Sequence, residues 1–433
     1  MPPQTQPLIQ QGDLTYLGSF TLPANDGAGS TFPQGSLTYG GVAGMGKNND
    51  TILYALHSQS NSMCEVSIPA IGGVGTIVTP GRYMPMSPTF DVPPSAAYVG
   101  GAIVWNGRIL VTGYVGYDNN PSAPYSWFTF DANNFVTATR LGPFSMSPTG
   151  GLTGQYLGVI PTEWRTLLGG SHWAGASSLS IITRSSRGPV FAVFDPDDVG
   201  PTTAVAVRLL HYQPPATMPT PPGYVEADSY GGGAFPTGWR SVLYIRRHGD
   251  VHCYGTGAEC NDPTDSSKGN HAYPYRHEIC AYDANDLLAV KNGSMLPTAV
   301  VPYATWTVTD MLASAGGTGY ARMKSSTYDI ATRRWYITSF SGGSGYGSPR
   351  VHVYEVAAPA GPSVDCDGTW SSWTPTGVVG PCVMGSQDRE EVRTFTITTE
   401  PSGGGTACPT SPEYRTVPQA CATGIGSGLV IYG

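Results

Sequence analysis

An all-β fold is predicted for this 433-residue chain, and three observations predict it. Turn formers are dense, with 57 Gly and 38 Pro. Charge is sparse at 12%, while 25 Tyr and 9 Trp supply core material. Third, one short segment ending recurs five times along the chain. Such a composition favours many short strands over helical bundles or βαβ units.

The recurring ending is aromatic, Asp, small, Asn/Asp, Asn/Asp, apolar. Its clear copies are Phe130-Asp131-Ala132-Asn133-Asn134-Phe135, Phe194-Asp195-Pro196-Asp197-Asp198-Val199 and Tyr282-Asp283-Ala284-Asn285-Asp286-Leu287. Looser copies begin at Cys64 and Tyr354, so the five starts are 66, 64, 88 and 72 residues apart. Asp at a strand end bonds backbone two residues on and opens a turn, which is the structural role expected of these acids.

Two strand-like runs precede each ending. The first is rich in small residues: 39–44, 99–102, 151–158, 231–234 and 316–321. The second is apolar or alternating: 51–56, 108–111, 165–168, 241–245 and 334–337. A further strand follows, as in 204–210 and 299–308. Four strands per repeat, five times over, predict a five-bladed β-propeller across residues 1–360, with a two-sheet sandwich as the alternative. Small residues suit first strands whose backbones converge on an axis. The fifth repeat ends near Val356 without an outer strand of its own. The run Leu14-Thr15-Tyr16-Leu17-Gly18-Ser19-Phe20 is expected to fill that place and close the ring.

From residue 364 the texture changes, and four of the eight cysteines fall at 366, 382, 408 and 421. Four cysteines allow three connectivities. The stretch is too small for a sizeable core, so disulfide staples are expected. Its Trp370-Ser371-Ser372-Trp373, Gly404-Gly405-Thr406-Ala407-Cys408-Pro409 and Gln419-Ala420-Cys421 elements resemble a thrombospondin type 1 repeat across residues 364–421. The resemblance implies a thin three-stranded adhesion module without catalytic chemistry, with Trp rings interleaved with Arg in place of a core. It implies Cys366–Cys408 and Cys382–Cys421 bridges, and Trp370 and Trp373 stacked with Arg389 and Arg393. The chain departs from that pattern in having four cysteines rather than six, with Thr376 where another would stand. Residues 422–433 are expected to be a tail or a docking strand.

Net charge is −8 and no basic run exceeds a pair such as Arg246-Arg247, which argues against nucleic acid as a partner. No apolar run is long enough to span a bilayer as a helix. The first residues, MPPQTQPLIQQGDL, have neither a basic start nor an apolar stretch, so no secretory signal is expected. Disulfides without a leader point to another export route or to release by lysis within a virus particle.

Several loops joining the second and third strands of a repeat are long. The aromatic face they would form comprises Tyr114, Tyr117 and Tyr125, then His172 and Trp173, then Tyr346. Such rings suit stacking on sugars, and would equally suit packing against neighbouring loops. The longest loop, 247–275, carries His248, His252 and His271 with Cys253 and Cys260, and His277 follows just after it. These are zinc-ligand types, and Asp250, Glu259, Asp262 and Asp265 are calcium-ligand types, but the spacing matches neither signature. A Cys253–Cys260 bridge is the plainer reading, and no cofactor is expected.

A glycosidase would need two carboxylates flanking the scissile bond. Candidates on links to first strands are Asp91, Glu163, Glu226, Asp228 and Asp310, and no motif selects a pair. The expectation is therefore a non-enzymatic virion structural or attachment protein, such as a bacteriophage tail or fibre component. It would sit in an oligomeric assembly and contact partner subunits and surface glycans. The alternatives are a secreted lectin-like adhesin and a five-bladed glycosidase.

Overall fold

A computed structural model describes residues 1–28, 41–48, 51–57, 62–83, 97–115, 125–148, 150–176, 188–212, 223–225, 228–251, 272–311, 322–340, 349–361, 365–401 and 406–421. The chain divides into two compact units, Pro2–Ala358 and a smaller one comprising Met1 and Pro359–Gly433. Both are built from antiparallel sheet.

Five sheets make up the larger unit, and each follows chain order as a meander. After an opening strand β1 (Leu14–Thr21), the first sheet is β2 (Gly41–Met45), β3 (Ile52–His57), β4 (Ser62–Ser67) and β5 (Ile77–Tyr83). The second is β6 (Ala97–Trp105), β7 (Arg108–Val115), β8 (Tyr125–Asp131) and β9 (Leu141–Ser147). The third is β10 (Tyr156–Val159), β11 (His172–Gly175), β12 (Phe191–Phe194) and β14 (Val207–Leu210). Between them, β13 (Ala204–Val205) adds to β9 in parallel. The expected single strand over 204–210 is thus shared between two sheets. The fourth is β15 (Ser229–Ala234), β16 (Ser241–Gly249), β17 (Tyr275–Asp283) and β18 (Ala304–Val308). The last consists of β19 (Arg322–Asp329), β20 (Arg334–Phe340) and β21 (Arg350–Val356), with β1 as its fourth strand. Leu14 lies opposite Val356 and Thr21 opposite Arg350, so the start of the chain fills the place left by the fifth repeat.

Among the described residues, apolar side chains on both faces of these sheets give five large core clusters, each between consecutive sheets, and a small sixth of Ala272 and Tyr275. Tyr54 and Met63 of the first meet Ile109 and Phe128 of the second. Trp127 meets Phe194 edge-on at 5.0 Å between second and third. Trp173 and Phe191 face Tyr244 and Tyr282 between third and fourth. Ile245 and Ile279 face Trp335 and Tyr354 between fourth and last. Phe20 and Val353 of the last face Val42 and Leu53 of the first. The first strands also approach one another in cyclic order: β19 beside β2, then β6, β10, β15 and β19 again. Glycine permits that closeness. A Cβ on Gly44 would stand 1.8 Å from the Ala102 carbonyl oxygen, and one on Gly100 would stand 1.8 Å from that of Gly154.

The third repeat departs from expectation. Residues 165–168 are not its second strand but part of a helix, α1 (Thr162–Leu168). Trp164 and Leu168, one turn apart, are both buried, and Gly169 at φ 84° ends the helix. The second strand is β11 instead. A second helix, α2 (Ala284–Lys291), follows the fourth-repeat ending, where the Asp283 carboxylate accepts from Asn285 N at 2.9 Å. Asp131 accepts likewise from Asn133 N at 2.8 Å. Asp195 instead reaches across to Ser171 N at 2.9 Å. The run 316–321 lies outside the described residues.

The smaller unit pairs β22 (Asp367–Trp370) with β25 (Phe395–Thr399), and joins β23 (Thr374–Val379), β24 (Ser386–Arg393) and β26 (Glu413–Ala420) in a three-stranded sheet. Among its described residues only Glu391 is buried. Cross-links stand in for a core: Cys366 bonds Cys408 and Cys382 bonds Cys421. Each closes a loop of about 40 residues, worth about 2–5 kcal/mol. Reduction should therefore melt β22–β26 while leaving the larger unit folded. Loss of the ribbon amide signals in an NMR spectrum under reducing conditions, with core signals of Pro2–Ala358 retained, is the expected reading. Retention of both sets would show that the bridges are dispensable.

Candidate functional site

Charge concentrates at one end of the fourth sheet. Strand register brings Tyr230 of β15, Arg246 of β16 and Glu278 of β17 side by side. Arg246 Nε donates to Glu278 Oε2 at 3.0 Å, and its Nη1 donates to Asp228 Oδ2 at 3.2 Å and to the Gly223 carbonyl at 3.0 Å. Asp228 Oδ1 lies 2.8 Å from His248 Nδ1 and accepts from Gly249 N at 3.2 Å. Arg276 Nε donates to Glu278 Oε1 at 2.6 Å and its Nη1 pairs with Asp250. Asp228, Arg246, His248 and Glu278 are all buried. Burial pushes the Glu278 carboxyl up, but Arg246 and Arg276 outweigh it and hold the group below the usual carboxylate range.

This network fixes the start of β15 against the end of β16. Removing one partner would strand a buried charge, at a cost of about 3–5 kcal/mol. Asp228, the one candidate acid placed here, therefore already has the Arg246 guanidinium and the His248 imidazole as partners. Glu163 is in α1, and its Oε1 accepts from Gly238 N at 2.7 Å in the β15–β16 turn, at the opposite end of that sheet. Asp310 is exposed just after β18 and stands beside the buried Tyr354 hydroxyl. Asp91 and Glu226 lie outside the described residues. Glu163 thus stands at the opposite end of the sheet from Asp228. Arg246 and Glu278 escaped the sequence reading, because the Arg246-Arg247 pair draws notice only as a basic run and cross-strand register is invisible in a linear chain.

The proposed aromatic face needs correction. Tyr114 is in β7, not on a loop, and is 5% exposed. His172 and Trp173 are in β11 at 2% and 1% exposure. Trp173 stacks on Phe191 with centroids 5.0 Å apart, and His172 meets the edge of Trp105 at 5.1 Å. Once α1 takes up residues 162–168, these two become strand residues packed between sheets. Tyr125 opens β8, while Tyr117 and Tyr346 lie outside the described residues. So do His252, His271, Cys253 and Cys260. His277 is buried in β17, and the described residues contain no group of three or more metal-ligand types able to hold an ion.

Two buried histidines make the larger unit acid-sensitive. His172 is pushed down to about 4 by burial, with Arg165 adding to the effect. Burial pushes His352 down to about 3, with His277 and Arg350 adding. His352 bridges Tyr16 and Ser339, its ring nitrogens 2.9 Å and 2.6 Å from their hydroxyls. Below pH 6.5 the unfolded chain binds protons that these folded groups refuse, so stability falls as pH drops toward 4 and 3. The slope should approach about 1.4 kcal/mol per pH unit for each group. Urea midpoints measured from pH 7 to pH 4 should fall accordingly, and less steeply in His352→Gln; an unchanged slope would contradict the assignment.

On the smaller unit, cations and indoles interleave. The Arg393 guanidinium lies 4.3 Å from the Trp370 ring centre and 4.6 Å from that of Trp373, and Arg415 lies 4.2 Å from Trp373. Arg389 is not in this ladder. Register puts it opposite Val379, away from the indoles, where it donates to Gln419 Oε1 at 3.1 Å and pairs with Glu391. Arg415 supplies the next cation instead, and also donates to Glu391 at 2.8 Å. Its signal is the alternation Glu413-Tyr414-Arg415 on β26, legible only once β26 is known to flank β24.

No family model matches the chain, and no curated protein matches it. Among solved structures, a luciferin-regenerating enzyme is similar over 72% of this chain and 78% of its own, at 8% identity and a TM-score of 0.32. A hydrazine synthase from Kuenenia stuttgartiensis is similar over 69% of this chain and 63% of its own, at 10% identity and a TM-score of 0.29. Likeness this slight carries no argument about fold or activity. Among the described residues no helix is long and apolar enough to cross a membrane.

Proposed function

We propose that the larger unit is a five-bladed β-propeller closed by its own N-terminal strand, and that the smaller is a thrombospondin type 1-like ribbon. Five meanders, five intervening cores and first strands in cyclic contact support the first reading. Two disulfides and the Trp370–Arg393–Trp373–Arg415 ladder support the second. On this reading the chain is a non-enzymatic attachment or structural protein of a virus particle, a bacteriophage tail or fibre component. It contacts partner subunits and surface glycans in an oligomeric assembly. The disulfides are compatible with an oxidising, extracellular setting.

The observation that carries the non-catalytic reading is the state of Asp228. Asp228, the described candidate acid that leads directly into β15, is held by Arg246 and His248, and Glu278, the other buried acid of the network, is itself paired with Arg246 and Arg276. The test is incubation of the full chain with host-surface polysaccharides. Retention on the polysaccharide without new reducing ends is expected, as is a stoichiometric copy in purified particles. Chain cleavage that disappears in Asp228→Asn would overturn the reading in favour of a glycosidase.

A further inference from the structure

A cavity of about 150 Å³ lies between the last sheet and the turn that follows β4. Its walls are Leu17, Phe20, Ile68, Ile71, Tyr336 and Val353, and Arg334 also lines it. Local backbone geometry builds it. Tyr16 pairs with Tyr354 and Gly18 with Val353, so Leu17 is the extra residue of a bulge. Gly18 sits at φ 123°, and a Cβ there would meet Ile71 Cγ2 at 2.4 Å, so only glycine lets the turn close over β1 at this point. Backbone bonds pin the turn in place: Gly72 N to Ser19 O at 2.7 Å, Thr21 N to Gly73 O at 3.1 Å and Gly75 N to Thr21 O at 2.9 Å.

The lining combines an apolar body with two polar groups. An apolar cavity of roughly this volume stays dry and admits a benzene-sized molecule. Tyr336 is fully buried, and its hydroxyl lies beside the Arg334 and Thr332 side chains. Arg334 has Asp329 and Glu355 as cross-strand neighbours, yet among the described residues it forms no ion pair. Asp329 instead accepts from Ala331 N at 2.9 Å and from the Thr332 hydroxyl. A guanidinium presents a planar fork suited to a carboxylate.

We propose that this cavity is a binding site for a small monocarboxylate, its benzene-sized apolar part seated among Leu17, Phe20, Ile68 and Val353 and its carboxylate held by Arg334. The site is separate from the fourth-sheet charge network and does not depend on the attachment role.

Benzoate and its neutral counterpart benzyl alcohol are the probes, titrated against the full chain and followed by ligand-observed NMR and calorimetry. Benzoate should bind about tenfold more tightly than benzyl alcohol, the usual scale for a hydrogen bond to a charged group. Arg334→Gln should abolish that preference while leaving the alcohol bound. Ile71→Trp, at a half-exposed turn position, should plug the cavity and remove both. Benzoate affinity unchanged by Arg334→Gln, retention of both probes by Ile71→Trp, or no benzoate binding at about 20 mM would each overturn the proposal.

Discussion

Gly100→Val should abolish folding of the larger unit. A Cβ at this position would lie 1.8 Å from the Gly154 carbonyl oxygen and 2.7 Å from the Thr112 hydroxyl. The obstacle is backbone of a neighbouring segment, which cannot swing away as a side-chain tip can. Overpacking by a methyl group in a dense interior costs about 1–3 kcal/mol, and more where backbone must move. Gly100→Ala is therefore expected to lose at least about 3 kcal/mol, and the branched valine to exceed the stability margin of an ordinary domain. Gly44→Ala should behave like Gly100→Ala, because its Cβ would meet the Ala102 carbonyl at the same separation. Gly200, with nothing within 4 Å and no positive φ, is the control, and its alanine variant should shift stability by less than about 0.5 kcal/mol. Urea unfolding followed by tryptophan fluorescence separates these outcomes, and a wild-type midpoint for Gly100→Val would refute the close approach of the first strands.

Deleting residues 1–21 should be comparably severe. The deletion removes β1, exposing the edge of β21 and uncovering the core of the last sheet. It also removes Ile9 and Phe20, buried at 0% and 1% exposure, each worth about 1.5–3 kcal/mol. The segment before β1 is tied down as well: Trp164 Nε1 donates to Gln6 Oε1 at 3.1 Å, Asn285 Nδ2 to Gln4 O at 3.0 Å and Ile9 N to Ser241 Oγ at 2.9 Å. The truncated chain is expected to aggregate through its bare edge. A synthetic peptide of residues 2–22 added during refolding should restore soluble protein. A truncated chain that folds unaided, with wild-type chemical stability, would show that β1 is ornamental.

Much of the architecture was legible because it repeats. The spaced segment endings, the Gly-rich runs before them and the unpaired run 14–20 together imply four-stranded units and a strand exchanged between the chain's ends, and β1 does lie against β21. What resisted reading was short-range or cross-strand. The α1 segment is too brief for its Trp164–Leu168 period to stand out against a strand pattern. His172 and Trp173 then look like loop aromatics, when their neighbours Phe191 and Phe194 bury them. The ion-pair network is illegible for a different reason: Asp228, Arg246 and Glu278 are 18 and 32 residues apart, and only strand register makes them adjacent. In the ribbon the motif identified Trp370, Trp373 and Arg393, but choosing between Arg389 and Arg415 required knowing which rung faces the indoles.

The pairing of Tyr16 with His352 across 336 residues has a consequence for biosynthesis. At about 5–20 residues per second, β1 waits tens of seconds on the ribosome before its mate is made. During that interval it is an unclaimed apolar segment, a target for chaperones or for the same strand of a neighbouring nascent chain.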